Sequence, residues 1–223
     1  PYFFPDLGVV RRITQGDLGR RMLAGLARQR LVGLGFMDNG FKHMSANRPL
    51  LEPAHFKGLR MRIQASRVIN AQMRALGARP VTLAFSETRH ALAARVVDGT
   101  ENPISNFWTQ AMNEVQTDFS LTQHAYLGYA FVANQRFWDA MAAPDRDLIS
   151  KALGEALEFG NQIADTQNDN ALAALREVGT TRIHVPSAAQ MDLLRKAVEP
   201  VHSGLAKRIG SAWLDDARAA IAR

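Results

Sequence analysis

The sequence predicts an α/β protein with mainly parallel strands, divided between two lobes. Short apolar or alternating segments are followed by amphipathic helical patterns at steps of about 8 to 15 residues, which is typical of strand and helix alternation. A helical segment without Gly-Pro punctuation then runs from Pro144 to about Val178. At about 1.5 Å per residue it would span roughly 50 Å, more than a small domain, so we expect it to connect two lobes.

The first half of the chain contains the clearest strand and helix patterns. Residues 31–36 form a short apolar run that ends at Asp38-Asn39-Gly40, a turn sequence, and residues 59–63 alternate as a half-buried strand does. A helix is predicted from Ser66 to Gly77, followed by a strand at 80–84 and a helix from Ser86 to Gly99.

The second half has longer elements. Residues 125–133 are rich in Tyr, Phe and Val and predict a long strand. The long helix carries apolar residues at helical spacing along one face: Leu148, Ala152, Ala156, Phe159 and Ile163. Residues 181–185 predict a last strand, and Ser187 with Gln190 has the spacing of a capping box at the start of a closing helix.

Composition excludes several classes of protein. The 223 residues are 47% hydrophobic and 22% charged, the usage of a globular chain, and cysteine is absent. There are therefore no disulfides, thiolate metal sites or cysteine nucleophiles. No apolar run reaches the roughly 18 residues of a membrane-spanning helix.

The net charge of +6 is concentrated in the first 30 residues, which contain six arginines and two aspartates. One interpretation is a phosphate-binding stripe for nucleic acid; the other, which we favour, is a solvated helix face. Elsewhere the chain has no phosphate loop, no nucleophile elbow and no histidine spacing for a metal. We therefore expect no catalytic residues, no metal and no cofactor.

An arginine within a strand is the most informative single residue. Arg60 and Arg62 lie on the same side of the pleat in residues 59–63. An arginine in this setting either extends outward to solvent or points into a cleft, where it binds an anion.

Sequence motifs around Arg62 resemble the periplasmic solute-binding proteins of tripartite ATP-independent periplasmic (TRAP) transporters, the DctP family. The ordered series covers residues 1 to about 205 and includes these segments: Lys57-Gly58-Leu59-Arg60-Met61-Arg62-Ile63, Leu76-Gly77-Ala78-Arg79-Pro80-Val81, Phe85-Ser86-Glu87, Val96-Val97-Asp98-Gly99, Glu101-Asn102-Pro103 and Leu121-Thr122-Gln123-His124.

The resemblance implies a two-lobed α/β periplasmic binding protein fold, with a long helix bridging both lobes, that closes over a small organic acid. In this family the arginine at Arg62 pairs with the ligand carboxylate, the amide at Asn102 hydrogen-bonds it, and the ring at Phe85 packs beside it. Lys42 stands where a second arginine is usual and supplies charge without the planar fork. Trp108 and Met37 are further candidates for the lining of the cleft.

The resemblance also predicts lobes, location and partners. Residues 1–39 and 128–167 are expected to form the remainder of lobe I, and residues 40–127 and 168–223 to form lobe II. Pro1 aligns well inside the family pattern, so the signal peptide and roughly the first quarter of the mature chain are expected to be missing and lobe I to be incomplete. The protein is expected to be periplasmic, monomeric when complete, not embedded in the membrane, and a partner of TRAP membrane subunits but not of nucleic acid.

Three classes of function are open at this point. The first is the ligand-binding component of a secondary transporter, which we favour. The second is a carboxylate-processing enzyme that uses His124 and Asn102. The third is a nucleic-acid-binding domain that uses the basic terminal segment.

Overall fold

The structure is a computed structural model that describes residues 1–222, and the predicted α/β class is confirmed. Within these residues a six-stranded mixed sheet has the order β3-β2-β4-β1-β5-β6. The strands are β1 (Leu31–Ala46), β2 (Arg60–Ile63), β3 (Arg79–Thr82), β4 (Gly99–Asn102), β5 (Asp118–Asn134) and β6 (Arg182–His184). The α-helices are α1 (Leu7–Thr14), α2 (Asp17–Gly25), α3 (Pro53–Phe56), α4 (Arg67–Ala75), α5 (Thr88–Ala93), α6 (Ile104–Thr109), α7 (Gln135–Ala140), α8 (Ala143–Val178), α9 (Ala188–Ile209) and α10 (Ser211–Ile221).

Parallel pairing brings the carboxyl ends of several strands to one edge. Strand β2 pairs in parallel with β3 and with β4, and β5 pairs in parallel with β6. Strand β1 is the exception, since it runs antiparallel to β4 with His43 opposite Asn102.

The chain divides into two compact units. Unit 1 consists of Pro1–Phe3, Phe41–Tyr126 and Gln167–Ser211. Unit 2 consists of Phe4–Gly40, Leu127–Thr166 and Ala212–Arg223. Strands β1 and β5 and helix α8 contribute residues to both units.

The division differs from the predicted lobes at the chain ends. Residues 1–3 belong to unit 1, and residues 212–223 belong to unit 2 rather than staying with residues 168–211. The reason for the second difference is local, because Arg21 lies 2.7 Å from Asp216 and stacks over the Trp213 ring at 5.0 Å. That these units are the lobes of a closing binding protein stays a prediction.

Two apolar clusters cover opposite faces of the sheet in unit 1. The first lies between the sheet and helices α4 and α9, and includes Met44, Met61, Ile63, Met73 and Val198. The second includes Leu92, Phe107, Met112, Phe119 and Leu175. Successive side chains of a strand point to opposite faces. A strand residue can therefore be assigned to one face by counting from the nearest member of either cluster.

The predicted turn at Asp38 to Gly40 is wrong. Strand β1 continues through it, because tertiary bonds hold this segment extended. Asp38 accepts a bond from Arg11 Nε at 2.6 Å, and its N–H donates to Asn161 Oδ1 at 2.7 Å. Gly40 contributes a φ of 151°, which glycine adopts without strain.

The long helix is confirmed as α8, but its apolar stripe is not the buried side. Leu148 and Phe159 are 67% and 63% exposed, whereas Leu157 is buried. Leu157 packs against Gly35, where a Cβ would have no room. The side of α8 that packs against β1 is thus the side of Leu157, not the stripe with the strongest hydrophobic periodicity.

The predicted closing helix is also confirmed. Ser187 caps α9, with reciprocal bonds between its side chain and the N–H of Gln190 and between the Gln190 side chain and the N–H of Ser187. No helix in the described residues combines the length and hydropathy that crossing a bilayer requires.

Candidate functional site

The Arg62 guanidinium is the cation around which the candidate site is built. It is buried in unit 1, near the end of β2, and both Nε and Nη2 donate to the carbonyl oxygen of Leu83, at 3.1 and 2.9 Å. These two nitrogens carry the N–H groups of one edge of the guanidinium. The end-on pair, formed by Nη1 and the second N–H of Nη2, therefore remains available for a planar acceptor.

Electrostatics favour an anion at this position. Burial lowers the pKa of Arg62 from its ordinary value, while the nearby Glu101 carboxylate opposes that change. Within residues 1–222 Arg62 forms no salt bridge, in contrast to Arg60, which pairs with Asp98 at 2.7 Å. A buried cation without a carboxylate partner is costly, which makes this guanidinium a candidate for binding an external anion.

Phe85 lies directly beside this arginine. The Arg62 Cζ atom is 5.7 Å from the centre of the Phe85 ring, within the range of a cation–π contact. Phe85 opens the short 3₁₀ turn that follows β3, two residues after the carbonyl that binds Arg62. One strand end therefore supplies both the acceptor that orients the guanidinium and the ring that packs against it.

Asn102 lies at the end of β4 and on the same face of the sheet as Arg62. Arg62 is in register with Val81, and Val81 packs on the second apolar cluster. Asn102 is in register with His43, and its amide Nδ2 is 3.3 Å from Thr100 Oγ1 and 3.6 Å from Met112 Sδ, a member of that cluster.

Lys42 has a different environment from Arg62. Its ammonium is ion-paired with Glu101 in the interior, and the two side chains are 2% and 0% exposed. Its Nζ is also 3.5 Å from Gln64 Oε1. The predicted second cation therefore already has an internal carboxylate partner.

A neutral histidine completes this buried group. His124 Nε2 is 3.1 Å from Glu101 Oε2, and its Nδ1 is 2.8 Å from Thr122 Oγ1. Burial lowers the pKa of His124, so the imidazole is neutral, donates through Nε2 to Glu101 and accepts from the Thr122 hydroxyl. Burial alone would raise the pKa of Glu101, but Lys42 and His124 outweigh it and lower that pKa, so the carboxylate is ionised.

The remaining predicted residues are less directly placed. Trp108 lies on α6 and packs, half-buried, against the second apolar cluster. Met37 belongs to unit 2, where its side chain lies against Gly160 of α8. Their roles in ligand contact stay predictions.

Sequence reasoning missed the two groups that orient the basic residues. Glu101 stood in the quoted Glu101-Asn102-Pro103 segment, and an acid inside a buried strand was the signal that it has a cationic partner. The Leu83 carbonyl could not be found, because a main-chain acceptor leaves no trace in residue identity. The described residues contain no group of His, Asp or Glu side chains arranged to hold a metal ion.

Comparison with known proteins identifies the family. The model of bacterial extracellular solute-binding proteins, family 7 (DctP), matches residues 1–208. The C4-dicarboxylate-binding periplasmic protein DctP of Rhodobacter capsulatus is 46% identical over 222 residues, which are 100% of this chain and 67% of the relative. The chain thus spans about two thirds of the length of this curated relative.

Solved structures agree with this assignment. A TRAP periplasmic solute binding protein from Shewanella oneidensis with bound succinate has a TM-score of 0.97 and 34% identity, covering 99% of this chain and 72% of that chain. A TRAP periplasmic solute binding protein from Pseudomonas aeruginosa PAO1 with bound L-malate has a TM-score of 0.88 and 32% identity, covering 92% of this chain and 71% of that chain. The predicted fold, periplasmic location and solute-binding class are thereby confirmed. The chain belongs to the DctP family of bacterial extracellular solute-binding proteins.

Proposed function

We propose that this chain binds a small organic acid, foremost a C4-dicarboxylate such as succinate or L-malate, through a carboxylate held by Arg62. The observation that carries the proposal is the buried guanidinium of Arg62, which is oriented by Leu83 and has no salt bridge within the described residues. A carboxylate on its end-on edge would form two parallel, charge-assisted hydrogen bonds.

The choice of ligand class rests on the relatives. The Rhodobacter capsulatus relative is named as C4-dicarboxylate-binding, and the two solved relatives contain succinate and L-malate. Phe85 would pack beside the ligand and Asn102 would hydrogen-bond the same carboxylate, while Trp108 and Met37 are kept as lining candidates.

We further propose that the chain is not an enzyme and delivers its ligand unchanged to TRAP membrane subunits. His124, which the alternative of a carboxylate-processing enzyme would use, is neutral, fully buried and engaged at both ring nitrogens. Recovering the acid unaltered after prolonged incubation would support the binding role, whereas chemical conversion would favour the enzyme.

The nucleic-acid interpretation has weaker support. Among the basic terminal residues, Arg11 pairs with Asp38 and Asp165, Arg20 with Asp17, and Arg21 with Asp216. These pairs reduce the charge available for phosphates. Duplex binding with a steep salt dependence would reopen that interpretation.

The test is calorimetric titration of the full chain with succinate and L-malate, using Arg62→Lys and a matched Arg60→Lys control on the same strand. Arg62→Lys keeps the charge but removes the fork, so we expect a loss of roughly 1.5–3 kcal/mol of binding free energy. Arg60→Lys should leave affinity unchanged, because Arg60 pairs with Asp98 at an exposed position. Equal affinities in all three proteins, with folding intact, would refute Arg62 as the carboxylate-binding residue.

A further inference from the structure

Gln64 is a polar residue beside Arg62 whose hydrogen-bonding capacity is only half used, and the inference about it rests on the proposed function. It follows Arg62 by two positions, directly after β2, and is half-buried. A glutamine amide accepts hydrogen bonds through its oxygen and donates two through its nitrogen. The end of the amide that faces the ligand therefore decides which ligand groups this residue can bind.

Lys42 determines the orientation of this amide. The Lys42 ammonium Nζ lies 3.5 Å from Gln64 Oε1. An ammonium has three N–H donors and no acceptor, so the reversed amide would place two N–H groups against a positive charge. Chemistry thus assigns the amide oxygen to the side of Lys42, and Nε2 is directed away from the ammonium.

The donor end of the amide is accessible and unoccupied. Within residues 1–222 the Gln64 Nε2 group has no hydrogen-bond partner, whereas Oε1 has one. It is also not one of the enclosed polar side-chain atoms that lack a partner, which in the described part of the chain are Ser45 Oγ, Gln72 Nε2 and Gln116 Oε1. Water therefore reaches the two N–H groups, and a ligand can replace that water.

Two observations place this donor within reach of a ligand held by Arg62. Burial lowers the pKa of Lys42 and the nearby charge of Arg62 lowers it further, so Arg62 and Gln64 both lie around the same ammonium. Extended pairing also continues to the end of β2, where the Leu83 N–H donates to the Ile63 carbonyl at 3.3 Å. Residues two apart in an extended chain have Cα atoms roughly 6.5 Å apart. The two carboxyl carbons of a C4-dicarboxylate are three carbon–carbon bonds apart, so a first carboxylate on Arg62 leaves the second near residue 64.

We propose that Gln64 is a specificity-determining residue, which donates through Nε2 to the second carboxylate of a short dicarboxylic acid while Arg62 binds the first. A neutral amide supplies this second contact without adding a charge to the site. Dicarboxylates are thereby distinguished from monocarboxylic acids of equal length, which offer the Gln64 donor no acceptor.

The test is calorimetric titration of the full chain with succinate and with butyrate, which has the same number of carbons but a methyl group in place of the second carboxylate. Gln64→Leu removes the donor at similar volume, and we expect succinate affinity to fall about ten-fold or more while butyrate affinity stays within about three-fold. The same replacement at the exposed Gln29 should leave both affinities unchanged. Equal losses for both acids, or no loss of succinate affinity, with folding intact, would overturn the proposal.

A second variant reverses the polarity of the same position. Gln64→Glu has the size of glutamine but presents an oxygen in place of the N–H donor, so it repels a second carboxylate. Succinamate carries a primary amide at that end and can donate to the new carboxylate. We expect the dissociation constant of succinate relative to that of succinamate to rise about ten-fold or more in Gln64→Glu. An unchanged ratio would contradict the role of Gln64.

Failure of the proposed function has a separate signature. In that case succinate and L-malate would not bind the unchanged protein, or Arg62→Lys would bind them normally, whatever the Gln64 variants do. Failure of the Gln64 assignment alone would leave succinate binding strong and dependent on Arg62 in Gln64→Leu.

Discussion

Two ionic groups in unit 1 differ in how much of each is exposed to water. In the first group, formed by Lys42, Glu101 and His124, every side chain is inside the protein. In the second group the Asp118 side chain is fully buried, whereas 69% of the side chain of its partner Arg182 is exposed. Arg182 Nη2 lies 2.9 Å from Asp118 Oδ2. His184 and Thr117 supply further bonds to the same carboxylate, at 2.7 and 2.6 Å.

The difference indicates different roles. A pair with one exposed cation costs little desolvation, so the Asp118 group ties β5 to β6 and stabilises the fold. A fully buried pair is a weak source of stability, because the desolvation of both charges offsets their attraction. Stability alone therefore does not explain why Lys42 and Glu101 are retained in the interior.

The largest effect is expected when the buried pair is broken. Lys42→Met leaves an ionised Glu101 without its cation, and we expect the free energy of unfolding to fall by about 3–5 kcal/mol. Urea denaturation measures it. The double variant Lys42→Met with Glu101→Gln serves as the control and should be nearly neutral. A double variant as unstable as the single one would show that packing, not charge, explains the loss.

A smaller effect is expected at the half-exposed group. Asp118→Asn removes the negative charge that Arg182 and His184 contact, at a cost of about 2 kcal/mol. Burial alone would raise the pKa of Asp118, but the bonds from Arg182, Thr117 and His184 outweigh it and lower that pKa from 3.8 to about 2. This contribution to stability is present above pH 3.8 and is lost as the pH falls toward 2. The free energy of unfolding of Asp118→Asn should therefore change less between pH 3.8 and about 2 than that of the unchanged protein. An equal change in both proteins would contradict the assignment.

The pH dependence of stability extends the comparison to His43, which is the register partner of Asn102 in the pairing of β1 with β4. Burial and the proximity of His124 lower the pKa of His43 from 6.5 to about 3, and its Nδ1 accepts from the N–H of Gln123 at 3.1 Å. Between these pH values the unfolded chain takes up a proton that the folded chain does not. Stability should therefore decrease on acidification, at most by about 1.4 kcal/mol per pH unit.

The measurement is the unfolding free energy as a function of pH, with His43→Gln as the matched variant. The Gln side chain keeps an acceptor for the N–H of Gln123 but does not titrate. The unfolding free energy of His43→Gln should therefore change less with pH than that of the unchanged protein. His124 contributes a residual slope of the same sign. Identical slopes in both proteins would rule out His43 as a source of the dependence.

The smallest effect is expected where both charges are accessible. Arg60 and Asp98 are 44% and 30% exposed, and water and salt screen such a pair. Arg60→Ala should therefore leave succinate affinity unchanged and shift the thermal midpoint only slightly. A large loss of affinity would mean that Arg60, rather than Arg62, faces the ligand.

The sequence predicted what depends on local pattern and on named motifs. Helix α8, the Ser187 cap and the family all followed from residue identity. The turn at Asp38 failed because Arg11 and Asn161, distant in sequence, hold this segment in a strand. The ion pairing of Lys42 was inaccessible for the same kind of reason, since only the register of β1 with β4 brings Glu101 to it.

The Leu83 carbonyl has a consequence for how substitutions at this position act. The oxygen that orients Arg62 belongs to the main chain, so replacing the Leu83 side chain does not in itself remove the acceptor. The Leu83 side chain itself packs against the second apolar cluster, so it serves the core while the carbonyl of the same residue serves the site. A conservative replacement such as Leu83→Val should therefore lower stability through lost packing, while binding of the acid still depends on Arg62.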